Sequence, residues 1–303
     1  MYHYKIYDSH LCSDIQFNQL LKCEEEFGKA DIYLYLKKIE EASEVFKNKG
    51  FYAASVKKNE IYFRNQCGVF LVKDGNFIQV WPHDNIEIKA LTPFILGYCM
   101  AMVFLQRGIM AVHCSAVELN GKGILIAGGS GSGKSTLTNR LLEGKFKLLA
   151  DDVVMLNISD DGRIYCLPAF PQQKLCRDAA EKYYGNLENL TYIDEQKDKF
   201  AISRTDRFCD KKVPLDLFIH LEKSQNVQCV SYSEIKGHEK INEIINNLFL
   251  IPMFKEEGGF SPENMSSCIK IAAACRIIDL RRPLSGDTTK EQEEIICQLS
   301  GEL

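Results

Sequence analysis

A basic surplus is the first thing the chain lacks: 37 Lys and Arg stand against 41 Asp and Glu, for a formal net charge of −4. There is no long run of like charge either, so the stripe that marks a nucleic-acid surface is missing and no nucleic-acid partner is expected. None of the 12 cysteines forms a CxxC pair or a Cys/His zinc spacing. They are scattered, some inside apolar runs such as Tyr98-Cys99-Met100, where a thiol packs as a small hydrophobe. Reduced thiols and a cytoplasmic compartment are the expectation. The N-terminus, MYHYKIYDSH, lacks the charged lead and apolar core of a secretory signal. The strongest apolar run, Phe94–Leu105, is shorter than the roughly 20 residues of a membrane span. It reads as a buried helix in a soluble chain with no membrane partner.

What is present alternates between strand and helix patterns. Residues 1–88 read as a small β-rich N-terminal module, with strands at Glu60–Phe63, Val69–Lys73 and Phe77–Trp81 and a turn at Lys73-Asp74-Gly75-Asn76. Lys38–Lys49 has helical spacing at Ile39, Ala42 and Phe46, and Tyr52 and Phe63 are expected to be exposed. Residues 89–303 read as the main domain. A helix is expected from Leu91 to Leu105 with Pro93 in its first turn, then strands at Met110–Leu119 and Ile124–Ala127. A helix from Lys134 to about Glu143, a strand at Phe146–Ala150 and a hairpin of Val153–Ile158 with Ile164–Leu167 follow. Further on come a strand at Leu215–Leu221, a helix over Glu234–Leu250, a helix opened by Ser261-Pro262, a strand at Ile277–Leu280 and a last helix at Thr289–Leu299. The pattern predicts an α/β fold with a mixed sheet.

The strongest single signal is Gly128-Gly129-Ser130-Gly131-Ser132-Gly133-Lys134-Ser135, which fits the P-loop pattern G-x-x-x-x-G-K-[ST] between a buried strand and a helix. Glycines let backbone N–H groups curl round phosphates, Lys134 supplies counter-charge, and the Ser135 hydroxyl suits Mg²⁺. The helix that opens with Lys134, Ser135 and Thr136 points its positive end at the same anion. No NKxD-type base-reading motif appears, since Asn48-Lys49-Gly50-Phe51 lacks the acid, so ATP with Mg²⁺ is expected.

Asp151-Asp152 closes the strand after the P-loop helix. Adjacent strand residues point to opposite sides, so one carboxylate can hold Mg²⁺ while the other faces an incoming hydroxyl. His113 is expected on the strand paired with the P-loop strand.

Together, His113-Cys114-Ser115-Ala116-Val117, the segment Gly121–Ala127, the P-loop and Leu149-Ala150-Asp151-Asp152-Val153 resemble the HPr serine kinase family. The wider layout is closest to the branch that phosphorylates biosynthetic precursor peptides, the lasso-peptide type. That similarity covers Gly75-Asn76-Phe77-Ile78, Leu105-Gln106-Arg107-Gly108 and Pro168-Ala169-Phe170-Pro171-Gln172-Gln173-Lys174-Leu175. The resemblance implies a P-loop kinase core of HPr-kinase and phosphoenolpyruvate-carboxykinase type. It further implies that Asp151 is the base, that His113 supports it, and that Asp152 holds Mg²⁺ with Ser135. The E-V-R-G segment of the HPr enzyme has no counterpart after Asp152, which leaves HPr as acceptor and a reverse phosphorylase action open.

Phosphoryl transfer needs further cations. Lys174 follows two prolines in what reads as a rigid loop. Arg281 and Arg282 end the Ile277–Leu280 strand, where α/β sheets carry ligands. Arg204 and Arg207 lie on a polar stretch that reads as a lid. The function expected is ATP- and Mg²⁺-dependent transfer to a serine of a protein or peptide. The alternatives are a small-molecule kinase or carboxykinase-type enzyme on the same core, and a nucleotide-binding regulator without catalysis. The acceptor's identity and a homo-oligomeric state stay open.

Overall fold

The computed structural model describes residues 1–23, 29–194, 198–251 and 260–301. Its backbone divides into two compact units, Met1–Ala111 with Leu248–Ser267 and Val112–Asn247 with Cys268–Leu303. Both are mixed α/β. The helix that follows residue 88 packs into the first unit.

In that unit the strands are β1 (Tyr2–Ile6), β2 (Ser9–Ser13), β3 (Leu21–Lys22), β4 (Ile32–Leu36), β5 (Ala53–Lys57), β6 (Glu60–Asn65), β7 (Gly68–Lys73) and β8 (Phe77–Pro82). They form one sheet in the order β3-β1-β2-β4-β8-β7-β6-β5, parallel at β2–β4 and β4–β8. The β7–β8 hairpin turns through Asp74 and Gly75, both at positive φ, the turn read from the sequence. Phe63 is buried and stacked on Phe70 at 4.3 Å, whereas Tyr52 is exposed. Of the expected Lys38–Lys49 helix only Ala42–Val45 forms, although Ile39, Ala42 and Phe46 are all buried.

The helical stretch Ile88–Gln106 starts earlier than expected, so Pro93 falls inside it, and the coil widens to a π-helix over Phe94–Cys99. Proline has no N–H and its ring crowds the preceding turn, which favours such a break in the ladder. Among the described residues this is the one helix long and apolar enough to cross a membrane, and half of its apolar window is buried within the protein. Phe104 meets Tyr7 edge-on at 5.4 Å, and Gln106 Oε1 accepts from Gly75 N at 2.8 Å. Arg107 donates to Gly75 O at 2.6 Å and Asp31 O at 2.7 Å.

The chain enters the second unit through β9 (Met110–Val112). There follow β10 (Ser115–Leu119), β11 (Lys122–Ala127), β12 (Lys147–Ala150), β13 (Val154–Ile158), β14 (Ile164–Leu167), β15 (Gln172–Cys176), β16 (Thr191–Asp194), β17 (Lys199–Ser203), β18 (Val213–Ser224), β19 (Ser231–Ile235) and β20 (Arg276–Pro283). The sheet runs β12-β10-β11-β18; β20 and then β19 extend it from β18 on one path, and β14-β13 on the other. β10 is antiparallel to both β11 and β12, while β11, β18 and β20 are parallel. β11, β12, β18 and β20 therefore end at the same edge. A small separate sheet has the order β15-β17-β16.

Alternate residues of these strands build the core. Ile124, Ile126, Leu217, Ile219, Leu221, Ile278 and Leu280 share a buried cluster with Leu137, Leu141 and Leu142 of the Lys134–Glu143 helix and Ile296 of the Thr289–Leu299 helix. Arg140 Nε joins the two helices through Glu293 Oε2 at 2.8 Å. The helix expected over Glu234–Leu250 is instead β19 followed by Glu239–Asn246, because Gly237 at φ 61° turns the chain between them.

Arg107 makes two charge-assisted bonds that tie helix to sheet. Arg107→Ala is expected to destabilise the first unit by about 2 kcal/mol, read by urea unfolding. Arg107→Lys should recover only part, because an ammonium lacks the planar fork.

Candidate active site

The loop after β11 is fixed by close approach. A Cβ on Gly128, which sits at φ 141°, would lie 2.3 Å from Leu221 O on β18, so no larger residue fits. Gly133, at φ 109°, caps the helix, and a Cβ there would stand 3.0 Å from Arg282 Nη2. Gly129, Ser130 and Gly131 are exposed at the tip, while Ser135 and Thr136 are half-buried in the first helical turn. Ser132 N donates to Gly129 O at 3.2 Å and Leu137 N to Gly133 O at 2.9 Å; the N–H groups at the head of a helix otherwise lack intrahelical acceptors. Ser132 Oγ is buried without a hydrogen-bond partner among the described residues. Lys134 Nζ donates to Gly128 O at 2.6 Å and Gly129 O at 3.2 Å. Burial presses its pKa down against the pull of Asp152.

Asp151 and Asp152 reach the same edge from β12. The registers Ala116↔Ala150 and Ser115↔Ile126 put Asp151 one strand away from the end of β11, with β10 between. Ser115 Oγ donates to Asp151 Oδ1 at 2.8 Å, and Lys174 N donates to Oδ2 at 2.8 Å. Burial pushes the Asp151 carboxyl up to about 6, with the neighbouring Asp152 charge adding to it. Burial pushes Asp152 up as well. There the ammoniums of Lys174 and Lys199 outweigh it, and the pKa falls below the usual carboxylate value. The Lys174 Nζ to Asp152 Oδ2 distance is 2.6 Å. Asp152 itself adopts φ 68°, in the left-handed region that side chains rarely occupy.

His113 is not on a strand. The expected strand Met110–Leu119 breaks at His113-Cys114 between β9 and β10. His113 N donates to Asn247 O at 2.7 Å, and Nδ1 lies 2.9 Å from the carbonyl oxygen of Asp152. A carbonyl only accepts, so Nδ1 carries the proton in that bond.

Of the expected cations, Lys174 is brought to the acids, from β15 and not from a loop. Arg281 is not brought to the loop: its Nε lies 2.8 Å from Asp279 Oδ2 and 3.6 Å from Glu222. Its neighbour Arg282, on the opposite face of β20, donates from Nε to Ser132 O at 2.9 Å. Arg204 is a clamp and not a lid. It donates to Gln173 Oε1 at 2.6 Å and to Asn139, while Gln173 Nε2 donates to Ser135 O at 3.0 Å. Arg207 donates to Gly144 O at 3.2 Å, beyond the end of the same helix. Sequence reading missed Ser115, Gln173 and Lys199; only the strand register brings them in. Among the described residues no three His, Cys, Asp or Glu side chains converge to hold a metal.

No family model matches the chain, and no curated protein matches it. Among solved structures, the Hpr(Ser) kinase/phosphatase from Coxiella burnetii is similar at 14% identity and a TM-score of 0.32, over 63% of this chain and 93% of that one. At that level the likeness fixes neither fold nor activity.

The two arginines of β20 give a direct contrast. Arg282→Ala, which frees the Ser132 carbonyl, is expected to weaken ADP binding about tenfold by titration calorimetry. Arg281→Ala should leave it within about twofold, as expected of a surface ion pair.

Proposed function

We propose that the chain is an ATP- and Mg²⁺-dependent kinase on a P-loop core of HPr-kinase type, passing the γ-phosphate to a serine hydroxyl of a peptide or protein. The observation that carries this reading is Asp151. It is a half-buried carboxylate held by Ser115 Oγ and Lys174 N, with its pKa lifted to about 6, at the sheet edge where the glycine loop opens. A base with that pKa is ionised at neutral pH and takes a proton more readily than an ordinary carboxylate.

The residues fit the groups the reading requires. Gly128 leaves no room for a side chain, Gly133 holds a positive φ that side chains rarely adopt, Ser132 Oγ is buried without a hydrogen-bond partner among the described residues, and Lys134 stands over the loop. Asp152, kept ionised by Lys174, and the Ser135 hydroxyl would hold Mg²⁺ together with phosphate oxygens, which explains why no all-protein metal cage is needed. Bound Mg²⁺ neutralises charge on the phosphates and orients them.

Asp151 accepts the serine proton as the new bond from the serine oxygen to the γ-phosphorus forms. The bond from that phosphorus to the β,γ-bridging oxygen breaks, and its electron pair leaves on ADP. Lys174 acts twice: its N–H orients Asp151, and its ammonium holds Asp152. His113, through the Asp152 carbonyl, fixes the backbone that aims the second carboxylate. Serine as acceptor, and a peptide or protein as its carrier, are supported by the resemblance over His113–Val153. A cytoplasmic setting is supported by 12 free cysteines.

ADP release in the presence of a panel of serine peptides tests the reading. Asp151→Asn should cut turnover by about a hundred- to ten-thousand-fold and leave ATP affinity unchanged. In the wild type, kcat/KM should fall as pH drops through about 6, because a raised pKa means the base is lost on that side, and the Asn variant should lack this limb. Near-normal transfer by Asp151→Asn would sink the mechanism. Lys134→Ala should abolish ATP binding without unfolding the chain; undiminished binding would sink the P-loop assignment.

A further inference from the structure

We infer that Lys199 is a further catalytic cation, opposing the charge of the γ-phosphoryl group while it is transferred. The inference rests on the kinase reading above and adds to it a residue that no loop motif contains.

Its position follows from the small sheet. β15 and β17 are antiparallel, with Lys174 opposite Ala201 and Cys176 opposite Lys199. Side chains alternate across a sheet, so Lys174 and Lys199 lie on one face as diagonal neighbours. Such pairs sit about 7–8 Å apart at the backbone, within reach of long side chains. The opposite face carries Leu175, Phe200 and Ile202, which are buried together. Lys174 reaches Asp152 from the shared face, and Lys199 is directed to the same side of the site. The charge of Lys199 is felt at both ends of that site: it helps to lower the pKa of Asp152, and it disfavours the ammonium of Lys134.

The other cations near the loop already have protein partners. Lys134 donates to Gly128 O and Gly129 O, Lys174 to Asp152, Arg282 to Ser132 O, and Arg204 to Gln173 and Asn139. Lys199 is half-buried, and its ammonium has no hydrogen bond or ion pair among the described residues. A cation on the strand face from which Lys174 reaches the acids, whose charge is felt at Asp152 and at Lys134 and whose ammonium has no partner among the described residues, is placed for a group that arrives with the substrate. In the transfer step described above, charge builds on the oxygens of the phosphoryl group between the breaking and forming P–O bonds, and a fixed ammonium opposes it.

The rival role is purely structural, in which Lys199 only offsets the charge of Asp152. The two differ in what they do to the γ-phosphate alone. The test compares calorimetric affinities, with Mg²⁺, for ADP and for the non-hydrolysable β,γ-imido analogue of ATP in the wild type, Lys199→Met and Lys199→Arg. Methionine keeps the length and apolar stem, so packing is retained. Lys199→Met is expected to bind the analogue about tenfold more weakly or worse with ADP affinity within about twofold, and Lys199→Arg should recover part of the loss. An unchanged analogue-to-ADP ratio would overturn the inference and leave the kinase reading standing. An equal loss for both nucleotides would assign Lys199 the structural role and overturn it too. A wild type that binds neither nucleotide would overturn the kinase reading, and the inference with it.

Discussion

Two adjacent carboxylates at a half-buried sheet edge repel each other, and the arrangement of the candidate site resolves that repulsion. Lys174 settles it asymmetrically. Its ammonium lies on Asp152 and its backbone N–H on Asp151, so one acid is pinned as an anion while the other receives only dipolar bonds. Burial and the neighbouring charge then raise Asp151 to about 6. Two identical residues side by side acquire two different protonation tendencies, the separation that acid–base chemistry requires. The pair is coupled, so replacing Lys174 would alter both acids at once and could not be read as the loss of one contact.

This solution depends on β15 lying where its backbone can reach Asp151, and β15 is held in turn by Gln173 and Arg204. Gln173 bonds Ser135 O and receives Arg204, which also reaches Asn139 on the helix behind the loop. Loop, helix and small sheet are thus tied by buried or half-buried polar groups whose partners are all protein. An unmade bond in such a network leaves a desolvated donor or acceptor, so the arrangement behaves as a unit. Arg282 braces the loop from the other side through the Ser132 carbonyl. The lid role that the sequence suggests for Arg204 and Arg207 gives way to this bracing role.

Much of the site is legible in the chain because the loop is a local structure. A strand, a run of glycines and a helix are contiguous, and the positive φ values at Gly128, Gly131 and Gly133 are what those glycines predict. Asp151-Asp152 is legible for the same reason, since an apolar strand ends on it. Ser115 is not, because its place beside Asp151 depends on the β10–β12 register, a pairing between segments far apart in sequence. Arg281 and Arg282 show a subtler limit. A strand of period two sends one to each face, and nothing local says which face carries the loop. Lys174 reads as a loop residue after Pro168 and Pro171, yet it lies on a strand paired to β17. In the first unit β2 is buried at every residue and β3 is two residues long, so neither carries the alternation that a half-exposed strand shows. The helix at Ile88 belongs to that unit through contacts at Phe104, Gln106 and Arg107 that no local pattern announces.

The antiparallel strand β10, between β11 and β12, sets the spacing. Neighbouring strands lie about 4.8 Å apart, so the ends of β11 and β12 are separated by roughly 10 Å. On the kinase reading, that gap has to accept a phosphoryl group and an incoming hydroxyl in line, with the base within hydrogen-bond reach of the hydroxyl. A donor and acceptor oxygen on either side of phosphorus, plus one hydrogen bond to the carboxylate, span a length of that order. Were the acids on a strand directly beside β11, the carboxylates would fall on the phosphates themselves, where like charges repel. With β10 in between, the base is set back by one strand, and β10 also supplies Ser115 to hold it. The same strand that creates the distance therefore fixes the residue at the far side of it.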